Sequence, residues 1–489
     1  MTTTRKHSLL LSTMLVGAFA GLTPAFAQDA PQQDLETELG EVIVTGSRIA
    51  RQDYTSTSPI VTVGQEDFQA TGSVTIESLV NDMPQFVPAV TSTSNNPSNG
   101  GQANIDLRGL GTMRTLVLMN GRRVVPSNAD GTVDVNLIPT PLIRSVEVIS
   151  GGASAAYGSD ALSGVANFIL NDRFTGIQFD AQYGVTDRDD GETQSYSVTM
   201  GGALDEGRGH AVLTIGRSTR ERIYNAAREF SAVSGRSAAS PLGNTVFDAN
   251  NLPTQAFVNG YFGRTDVVNT GSFGFNNDGS VFSYQGTRNF KSPGGIDFDG
   301  FTVPGSDWGY NTGALNYLQL PLQRWNAFAS ADYDLGGGSE VYGSLLLTDY
   351  QAANELAASP AASNTGFRVP VTNPFIPAQL RQFLAARPNP TASFRLDKRF
   401  TDLGGRHADE DYSVYQGTLG VRGDFLSLRD WKYDVYAQYG RNERITTQSG
   451  NVSRSAVQTL LDAADGGASL CSGGFDPFGQ SELSASCIG

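Results

Sequence analysis

The chain has 489 residues, of which 17% are charged, and its formal net charge is −15 at pH 7. This acidity argues against a nucleic-acid partner, because a surface that binds nucleic acid needs a basic face. Only three histidines occur, at His7, His210 and His407, which argues against a His-ligated metal centre or a His-based catalytic triad.

Residues 1–27 have the pattern of a secretory signal peptide. Arg5 and Lys6 form a charged start, an apolar run follows, and Ala25-Phe26-Ala27 fits a small-x-small cleavage site. The alternative is an uncleaved membrane helix, but the apolar run is shorter than the ~20 residues that a span needs. An exported protein is therefore predicted, either soluble outside the cytoplasm or inserted in a membrane as β-strands.

Residues 28–49 form a polar leader that contains one short strand pattern. Residues 28–39 are polar and are expected to be disordered. β-branched side chains at Val42, Ile43, Val44 and Thr45 favour a strand, with no obvious partner nearby. Two interpretations stay open: a strand that pairs within its own chain, or one that adds to a sheet edge of another protein.

Residues 50–172 alternate strand-like and helix-like runs, as expected of a compact α+β domain. Gly109 and Gly111 permit tight turns beside Arg108, and Asn120-Gly121 predicts a hairpin. The glycine-containing stretch at 151–165 lacks both the Gly-Lys-Ser/Thr of a phosphate loop and the spacing of a dinucleotide site. A turn is therefore predicted there.

Beyond residue 176 the apolar residues alternate strictly with polar ones. Seven such segments are present, at 177–185, 193–203, 209–216, 324–335, 339–350, 415–425 and 431–441. Each is about as long as a tilted strand that crosses a bilayer.

The connections between these segments alternate between short and long. Short ones lie at 204–208, 336–339 and 426–430, and long ones at about 219–321, 351–410 and from 442 onward. This alternation is typical of an outer-membrane barrel, whereas a soluble β-sandwich rarely places very long loops on one side only. Because closed bacterial barrels normally have an even number of strands, the barrel is expected to be incomplete in this chain.

Two long stretches, 107–124 ("LRGLGTMRTLVLMNGRRV") and 136–170, resemble the plug motifs of TonB-dependent outer-membrane receptors. The resemblance implies an α+β plug domain over residues 50–172, followed over 173–489 by a partial antiparallel transmembrane β-barrel with long extracellular loops. It also implies an outer-membrane location.

Within the plug, the resemblance singles out a set of motif residues: Arg108, Gly109, Gly111, Asn120, Gly121, Arg144, Glu147, Gly151, Gly152, Tyr157 and Gly158. Arg108, Arg144 and Glu147 become candidates for polar contacts between plug and barrel wall. The alternative is that each is an ordinary surface charge. Arg144 and Glu147 are three residues apart on a strand, so they point to opposite faces and are not expected to pair.

The leader strand resembles the TonB box of this family, the segment that pairs with TonB across the periplasm. Its predicted residues are Glu41, Val42, Ile43, Val44 and Thr45. The implied partners are TonB with its energising complex, outer-membrane lipid and an extracellular small ligand such as an iron chelate. No cofactor, metal site, nucleic acid or enzymatic activity is implied.

The function that follows from the resemblance is energised uptake of a scarce, bulky ligand, with ferric siderophores as the commonest class. Uptake of carbohydrate or another nutrient stays open, as does a passive porin or adhesin. Aromatic residues between 224 and 290 either stack on the ligand or anchor the loop; they are Tyr224, Tyr261, Phe262, Phe273, Phe275, Phe282, Tyr284 and Phe290.

The two cysteines of the chain, Cys471 and Cys487, lie close together in the last predicted outer loop. In an exported protein such a pair is predicted to form a disulfide, and a metal site is the weaker alternative because no histidine lies nearby. Closing a loop of this size would stabilise the fold by about 3 kcal/mol on the chain-entropy model.

Overall fold

The structure is a computed structural model, and it describes residues 60–64, 76–95, 100–151, 153–233, 240–276, 278–283, 309–425, 431–478 and 483–488. The predicted signal peptide, the leader with residues 41–45, Gly152 and the predicted turn at 426–430 therefore lie outside the described residues.

The N-terminal domain contains nine helices and strands within the described residues: β1 (Ile60–Gly64), α1 (Ile76–Asp82), β2 (Phe86–Val90), β3 (Asn104–Leu107), β4 (Thr115–Met119), β5 (Arg122–Arg123), β6 (Ile143–Ile149), α2 (Ser154–Tyr157) and β7 (Gly164–Leu170). Five of the strands form one sheet in the order β1-β6-β7-β4-β5, and β2 pairs with β3 separately. Only β4 and β7 run parallel, while the other pairs are antiparallel.

The core of this domain lies on both faces of β6 and β7. Strand β7 is a near-continuous apolar run, as expected of a strand that is covered on both sides, and Val146 and Val148 of β6 and Phe168 of β7 are fully buried. The predicted hairpin is present: β4 pairs with β5 across Asn120 and Gly121, whose φ angles are 49° and 73°. Both central residues have the positive φ that a tight hairpin turn requires.

Seven long strands form an antiparallel sheet, which we call the wall sheet. They are β8 (Gly176–Gly184), β9 (Thr193–Leu204), β10 (Gly209–Arg220), β16 (Leu322–Gly336), β17 (Ser339–Leu356), β21 (Arg406–Asp424) and β22 (Lys432–Ser449). Each predicted segment is one of these strands, and each pairs with its neighbours in sequence order. Within the described residues the outer edges of β8 and β22 pair with no strand, so the sheet is not closed.

The wall strands extend farther than predicted on the side of the long connections. The second and third long connections were expected to begin near 351 and 442, but β17 continues to Leu356 and β22 to Ser449. Likewise β21 begins at Arg406 rather than at 415. The strands were predicted from the alternation of apolar and polar residues. The strand ends on this side carry polar residues on both faces, so the alternation stops there although the strands remain hydrogen-bonded to each other.

On the two faces of the wall sheet, polar residues are buried and apolar residues are exposed, which is the reverse of the usual pattern in soluble proteins. Along β9, Ser197 and Thr199 are buried while Tyr196 and Met200 are exposed. On the outward face Phe179 is 76% exposed, and on the inward face Thr214 is fully buried. An extended apolar band is thus turned away from the N-terminal domain, which covers the polar face.

The long connections contain further strands and helices. The strands are β11 (Ile223–Tyr224), β12 (Asn244–Val246), β13 (Ser272–Phe275), β14 (Val281–Ser283), β15 (Tyr317–Gln319), β18 (Pro360–Ala361), β19 (Phe367–Val369) and β20 (Phe394–Arg399). The helices are α3 (Gln255–Phe262), α4 (Ala378–Ala385), α5 (Arg454–Asp462) and α6 (Ala485–Ile488). Helix α3 begins after Thr254, whose side chain accepts the Phe257 N–H, and ends at Gly263 with φ 64°.

These segments pack around one aromatic cluster, which we call the outer core. Phe383 from α4 is fully buried, with ring centroids 4.6 Å from Tyr261 and 4.7 Å from Phe273. Strands β12, β13, β14, β18, β19 and β20 form a sheet beside it. Nearby, Cys471 and Cys487 are joined in a disulfide with Cα atoms 5.1 Å apart. None of the described helices combines the length and apolarity needed to cross a membrane.

Candidate functional site

The strongest polar contact between the N-terminal domain and the wall sheet centres on Asp134. This residue caps a short 3-10 helix at 135–137, and its Oδ1 accepts the backbone N–H groups of Ala103 and Asn136 at 3.0 and 2.9 Å. Its Oδ2 accepts the hydroxyl of Tyr350, from β17, at 2.6 Å. Asp134 is fully buried, so each of these bonds lies out of contact with water.

Tyr350 is held in place by a second tyrosine on the next strand. Tyr350 and Tyr412 are register partners on β17 and β21, and their rings stack with centroids 4.3 Å apart and planes 9° apart. The side-chain amide of Gln102 donates to the Tyr412 hydroxyl at 3.1 Å. Each tyrosine therefore meets the N-terminal domain through its hydroxyl and the wall through its ring.

Arg324 of β16 completes this contact. Its Nη1 donates to the backbone carbonyl of Asn136 at 2.8 Å, and its Nε donates to Ser218 Oγ on β10 at 3.2 Å. The side chain is buried, so its charge lies in the same dry region as Asp134. We call Asp134, Tyr350, Tyr412 and Arg324 the seat.

Burial raises the pKa of the Asp134 carboxyl to about 6. Desolvation is the largest cause, because it penalises the charged form. The hydrogen bonds from Tyr350 and the two backbone N–H groups oppose it, as does the charge of Arg324. The seat thus holds a carboxylate that is ionised at neutral pH yet close to its protonated form.

A second contact lies near the short connections of the wall sheet, around Arg122 of β5. Its guanidinium lies 3.8 Å from the ring centroid of Tyr436 and 4.8 Å from that of Tyr342, and it pairs with Asp434 at 3.0 Å. The side chain thus combines an ion pair with cation–π contacts to β17 and β22, the two strands that flank β21.

The segment that follows β5 runs along the wall and is bound by two glutamines. Gln416 of β21 accepts the Val125 N–H at 2.6 Å through its Oε1 and donates to the Arg123 carbonyl at 3.2 Å. Gln438 of β22 donates to the same carbonyl at 2.8 Å. Because these are main-chain contacts, they fix the path of this segment regardless of its side chains.

A third contact lies at the opposite end of the wall, where the long connections begin. Asn95 donates to the Glu355 carbonyl at 2.5 Å and accepts the Glu355 N–H at 3.2 Å, and the Leu320 N–H donates to the carbonyl of Ser92 at 2.8 Å. Gly101, with φ 69°, lies so close to the wall that a Cβ there would overlap the Cβ of Ala352. A glycine is therefore required for this approach.

The predicted motif residues divide into turn-forming and buried positions. Gly109, Gly111 and Gly158 have φ angles of 68°, 103° and 102°, which explains glycine at each. Tyr157 packs against the small cluster formed by β4, β6 and β7, and its carbonyl accepts from Arg123 at 2.6 Å. Gly151, by contrast, has open space where a Cβ would stand.

The contacts between plug and wall described above involve other residues, and the bridging role of Arg108, Arg144 and Glu147 stays a prediction. The side chains of Arg108 and Arg144 are exposed and form no hydrogen bond or ion pair among the described residues, and Glu147 is buried within its own domain beside Asn167, 3.5 Å away. Arg108 has φ 62° in a turn, and Arg144 lies on the outer face of β6. Arg144 lies at an irregularity in the pairing of β6 with β7, between Ile143 and Ser145.

The residues that bridge the two parts were missed because their partners are distant in sequence. Asp134 and Tyr350 are 216 residues apart. One signal was available: Arg324, Tyr350 and Tyr412 occupy positions on the face of each alternating strand that is opposite to the apolar one. Polar residues with long side chains at such positions indicate contact with whatever fills the inside.

The aromatic residues left open between ligand stacking and anchoring serve as anchors where the structure describes them. Phe273, Phe275 and Phe282 are buried in the outer core, and Tyr261 and Phe262 pack against it. Tyr224 lies edge-on to Tyr317 at 5.2 Å. Tyr284 and Phe290 lie outside the described residues. Among the described residues no cluster of three or more His, Cys, Asp or Glu could hold a metal ion.

Comparison with known proteins identifies the N-terminal domain. Residues 52–165 match the model of the TonB-dependent Receptor Plug Domain. The chain therefore contains a plug domain of TonB-dependent receptors, and the resemblance found in the sequence is confirmed. From here on the N-terminal domain is called the plug.

Among solved structures, the chain is similar to receptors and transporters for iron chelates. For a ferric enterobactin receptor of Pseudomonas aeruginosa the TM-score is 0.42 at 13% identity, covering 82% of this chain and 50% of that one. For the ferric preacinetobactin receptor BauA of Acinetobacter baumannii the TM-score is 0.39 at 10% identity, covering 80% and 48%. For the ferric citrate transporter FecA it is 0.36 at 13% identity, covering 80% and 48%. The chain thus spans about half the length of these receptors.

Proposed function

We propose that the protein is a TonB-dependent outer-membrane receptor for energised uptake of a scarce, bulky ligand, a ferric chelate. The observation that carries the proposal is the arrangement of the wall sheet. Its polar face is covered by a plug domain through directional hydrogen bonds, and its opposite face is an exposed apolar band. A plug seated inside a lipid-facing wall blocks passive flow and needs energy to move.

The proposal includes the domain boundaries drawn from the sequence. Residues 1–27 are the signal peptide, 28–49 the periplasmic segment with the TonB box, 50–172 the plug and 173–489 the partial barrel. In this arrangement the short connections face the periplasm and the outer core faces the outside. The chain performs no chemistry on its cargo, so its activity is transport rather than catalysis.

The seat indicates how the plug could be both firmly held and releasable. Hydrogen bonds contribute only about 0.5–1.5 kcal/mol each when water can replace the partner, but buried groups left unpaired are costly. A pull that opens the seat to water therefore meets resistance from these hydrogen bonds only until water enters. The plug and the wall also share one apolar cluster, in which Val135 and Leu137 of the plug lie with Phe328 and Leu346 of the wall, so release of the plug would expose that cluster as well.

The test is uptake by a variant of the TonB box. Ile43→Pro removes a backbone donor from the strand that would pair with TonB. Cells that carry it are expected to bind radiolabelled ferric enterobactin or ferric citrate normally but to lose uptake, as wild-type cells do with an uncoupler. Gln33→Pro, in the polar part of the leader, is the matched control and should leave uptake unchanged.

Two results would contradict the proposal. Uptake by Ile43→Pro at the wild-type rate, with binding intact, would reject the box. Uptake that is insensitive to the uncoupler would reject energised transport altogether and favour a passive pore. If neither iron chelate binds but a sugar is taken up in an uncoupler-sensitive way, the receptor class stands and the ligand class is wrong.

A further inference from the structure

The outward face of the wall sheet carries a groove with a volume of about 920 Å³. Its floor includes Ala211, Ala331 and Gly343, which are register partners on the neighbouring strands β10, β16 and β17. Neighbouring strands are ~4.8 Å apart, so a row of alanine and glycine residues on adjacent strands leaves a trough that runs across the sheet. Larger apolar residues line its sides: Met200, Leu213 and Leu345 on one, and Leu204, Tyr333 and Val341 on the other.

The groove lies in the interior of the wall sheet rather than at an edge. Strands β10, β16 and β17 are each paired on both sides, so the backbone around the trough has its hydrogen bonds satisfied. The groove is also continuous with the apolar band, since its flanking residues Met200 and Leu345 are exposed. What covers it must therefore be apolar along the trough.

The side of the groove that faces the short connections has a mixed charge. The Tyr333 hydroxyl donates to Asp205, and the Arg208 guanidinium lies over the Tyr333 ring, 4.9 Å from its centroid. Arg208 and Asp205 are 3.3 Å apart, and both side chains are about half exposed. A tyrosine with a polar tip at the end of an apolar band is typical of a membrane interface. The rim thus presents one cation and one anion side by side.

We propose that this groove is a binding site for a phospholipid whose headgroup carries both a phosphate and a primary ammonium. An acyl chain lies in the trough over Ala211, Ala331 and Gly343. The phosphate accepts a hydrogen bond from Arg208, and the ammonium donates to Asp205. A headgroup with one charge of each sign complements the rim, whereas a purely anionic headgroup would meet the repulsion of Asp205.

This inference rests on the proposed function, because it needs the outward face to lie in a bilayer with the short connections at the periplasmic side. Native mass spectrometry of the protein, extracted from outer membranes in a mild detergent, tests it. The protein is mixed with phosphatidylethanolamine, phosphatidylcholine and phosphatidylglycerol of matched chain length. We expect a single retained lipid, and we expect it to be phosphatidylethanolamine.

Two pairs of variants locate the site. Ala331→Leu fills the trough and should abolish retention, whereas Ala327→Leu, on the same face of β16 but outside the groove, should not. Arg208→Ala should lower retention about tenfold, as the loss of a charged hydrogen bond predicts. Arg217→Ala removes the comparable cation over Trp325, 5.4 Å from that ring and away from the groove, and should have no effect.

Several outcomes would overturn the site. Equal retention of the three lipids rejects the headgroup assignment, and equal retention by Ala331→Leu and wild type rejects the trough. A lipid-free dimer that Ala331→Leu dissociates would make the groove a contact between copies. Outer-membrane protein that retains no lipid rejects this inference alone, while protein that stays soluble without detergent rejects the proposed function with it.

Discussion

The seat of the plug combines buried hydrogen bonds with apolar packing, whereas the outer core is stabilised by apolar packing and a disulfide. In the seat, Asp134, Tyr350 and Arg324 meet through hydrogen bonds between parts of the chain that are distant in sequence. In the outer core, aromatic rings from α3, α4 and β13 pack on one another, and a disulfide lies alongside. Apolar packing in water is lost gradually with area, whereas a hydrogen bond is lost within a fraction of an ångström.

Under the proposed function, this difference would suit the two regions to different tasks. A region that must hold its shape while exposed to the outside gains from apolar area and a covalent link. A region that must hold firmly and then separate gains from short-range polar contacts that water can replace. The same comparison predicts that substitutions in the outer core change the stability of that region, while substitutions in the seat change the coupling between plug and wall.

The largest expected effect is in the outer core, for Phe383→Ala. The side chain is fully buried among Phe257, Tyr261 and Phe273, so its removal leaves a cavity. We expect a loss of about 3–5 kcal/mol in the stability of the outer segments. Limited proteolysis should show faster cleavage between residues 240 and 403 and no change in the plug.

Phe230→Ala is the matched control for this substitution, because Phe230 is 80% exposed. It should leave the cleavage rate unchanged. If Phe383→Ala loosens the plug as much as the outer segments, the two regions are one cooperative unit and the contrast drawn between them is wrong.

The sequence predicted the wall better than it predicted the seat, for a physical reason. Strand alternation is a local signal, because the difference between the two faces of the sheet acts on each strand separately, and all seven wall strands could be found from it. The hairpin at Asn120-Gly121 was equally local. The seat depends on which residues face each other after folding, and nothing near Asp134 in the sequence indicates a tyrosine on β17.

The charged motif residues also show that contacts formed only after folding are hard to predict from the sequence. The family resemblance singled out Arg108 and Arg144, but Arg108 lies in a turn with φ 62° and Arg144 is exposed on β6. Arg122, which does contact the wall, lies directly after the predicted turn and was not singled out. Which arginine contacts the wall thus depends on the position and direction of its side chain in the fold, which the residue type alone does not give.

The second prediction concerns the pH dependence of the seat. The Asp134 carboxyl has a pKa of about 6 in the folded protein against an ordinary value of 3.8, so the folded state holds the proton more tightly than the unfolded state. Acidification therefore stabilises the fold through this group by up to about 3 kcal/mol, and the gain is lost as the pH rises through about 6. Asp134→Asn should remove this dependence.

The measurement is the apparent melting temperature in detergent between about pH 4 and pH 7. The difference in stability between Asp134→Asn and wild type should shift in favour of the variant as the pH rises from about 4 to about 6. Ala129→Asn, in the same loop but at an exposed position without an ionisable group, should run parallel to wild type at every pH. Parallel profiles for Asp134→Asn and wild type would show that its carboxyl is not buried as described.

The smallest expected effect separates the two stacked tyrosines. Tyr350→Phe keeps the ring but removes the hydroxyl that donates to Asp134 at 2.6 Å, which leaves a buried carboxylate with one donor fewer. We expect a loss of about 1–3 kcal/mol, against about 0.5–1.5 kcal/mol for Tyr412→Phe, whose hydroxyl accepts from the amide of Gln102. A double-mutant cycle with Asp134→Asn distinguishes the two, because only Tyr350→Phe should show coupling. Equal coupling for both tyrosines would mean that the stack, rather than the hydrogen bond to Asp134, holds the plug against the wall.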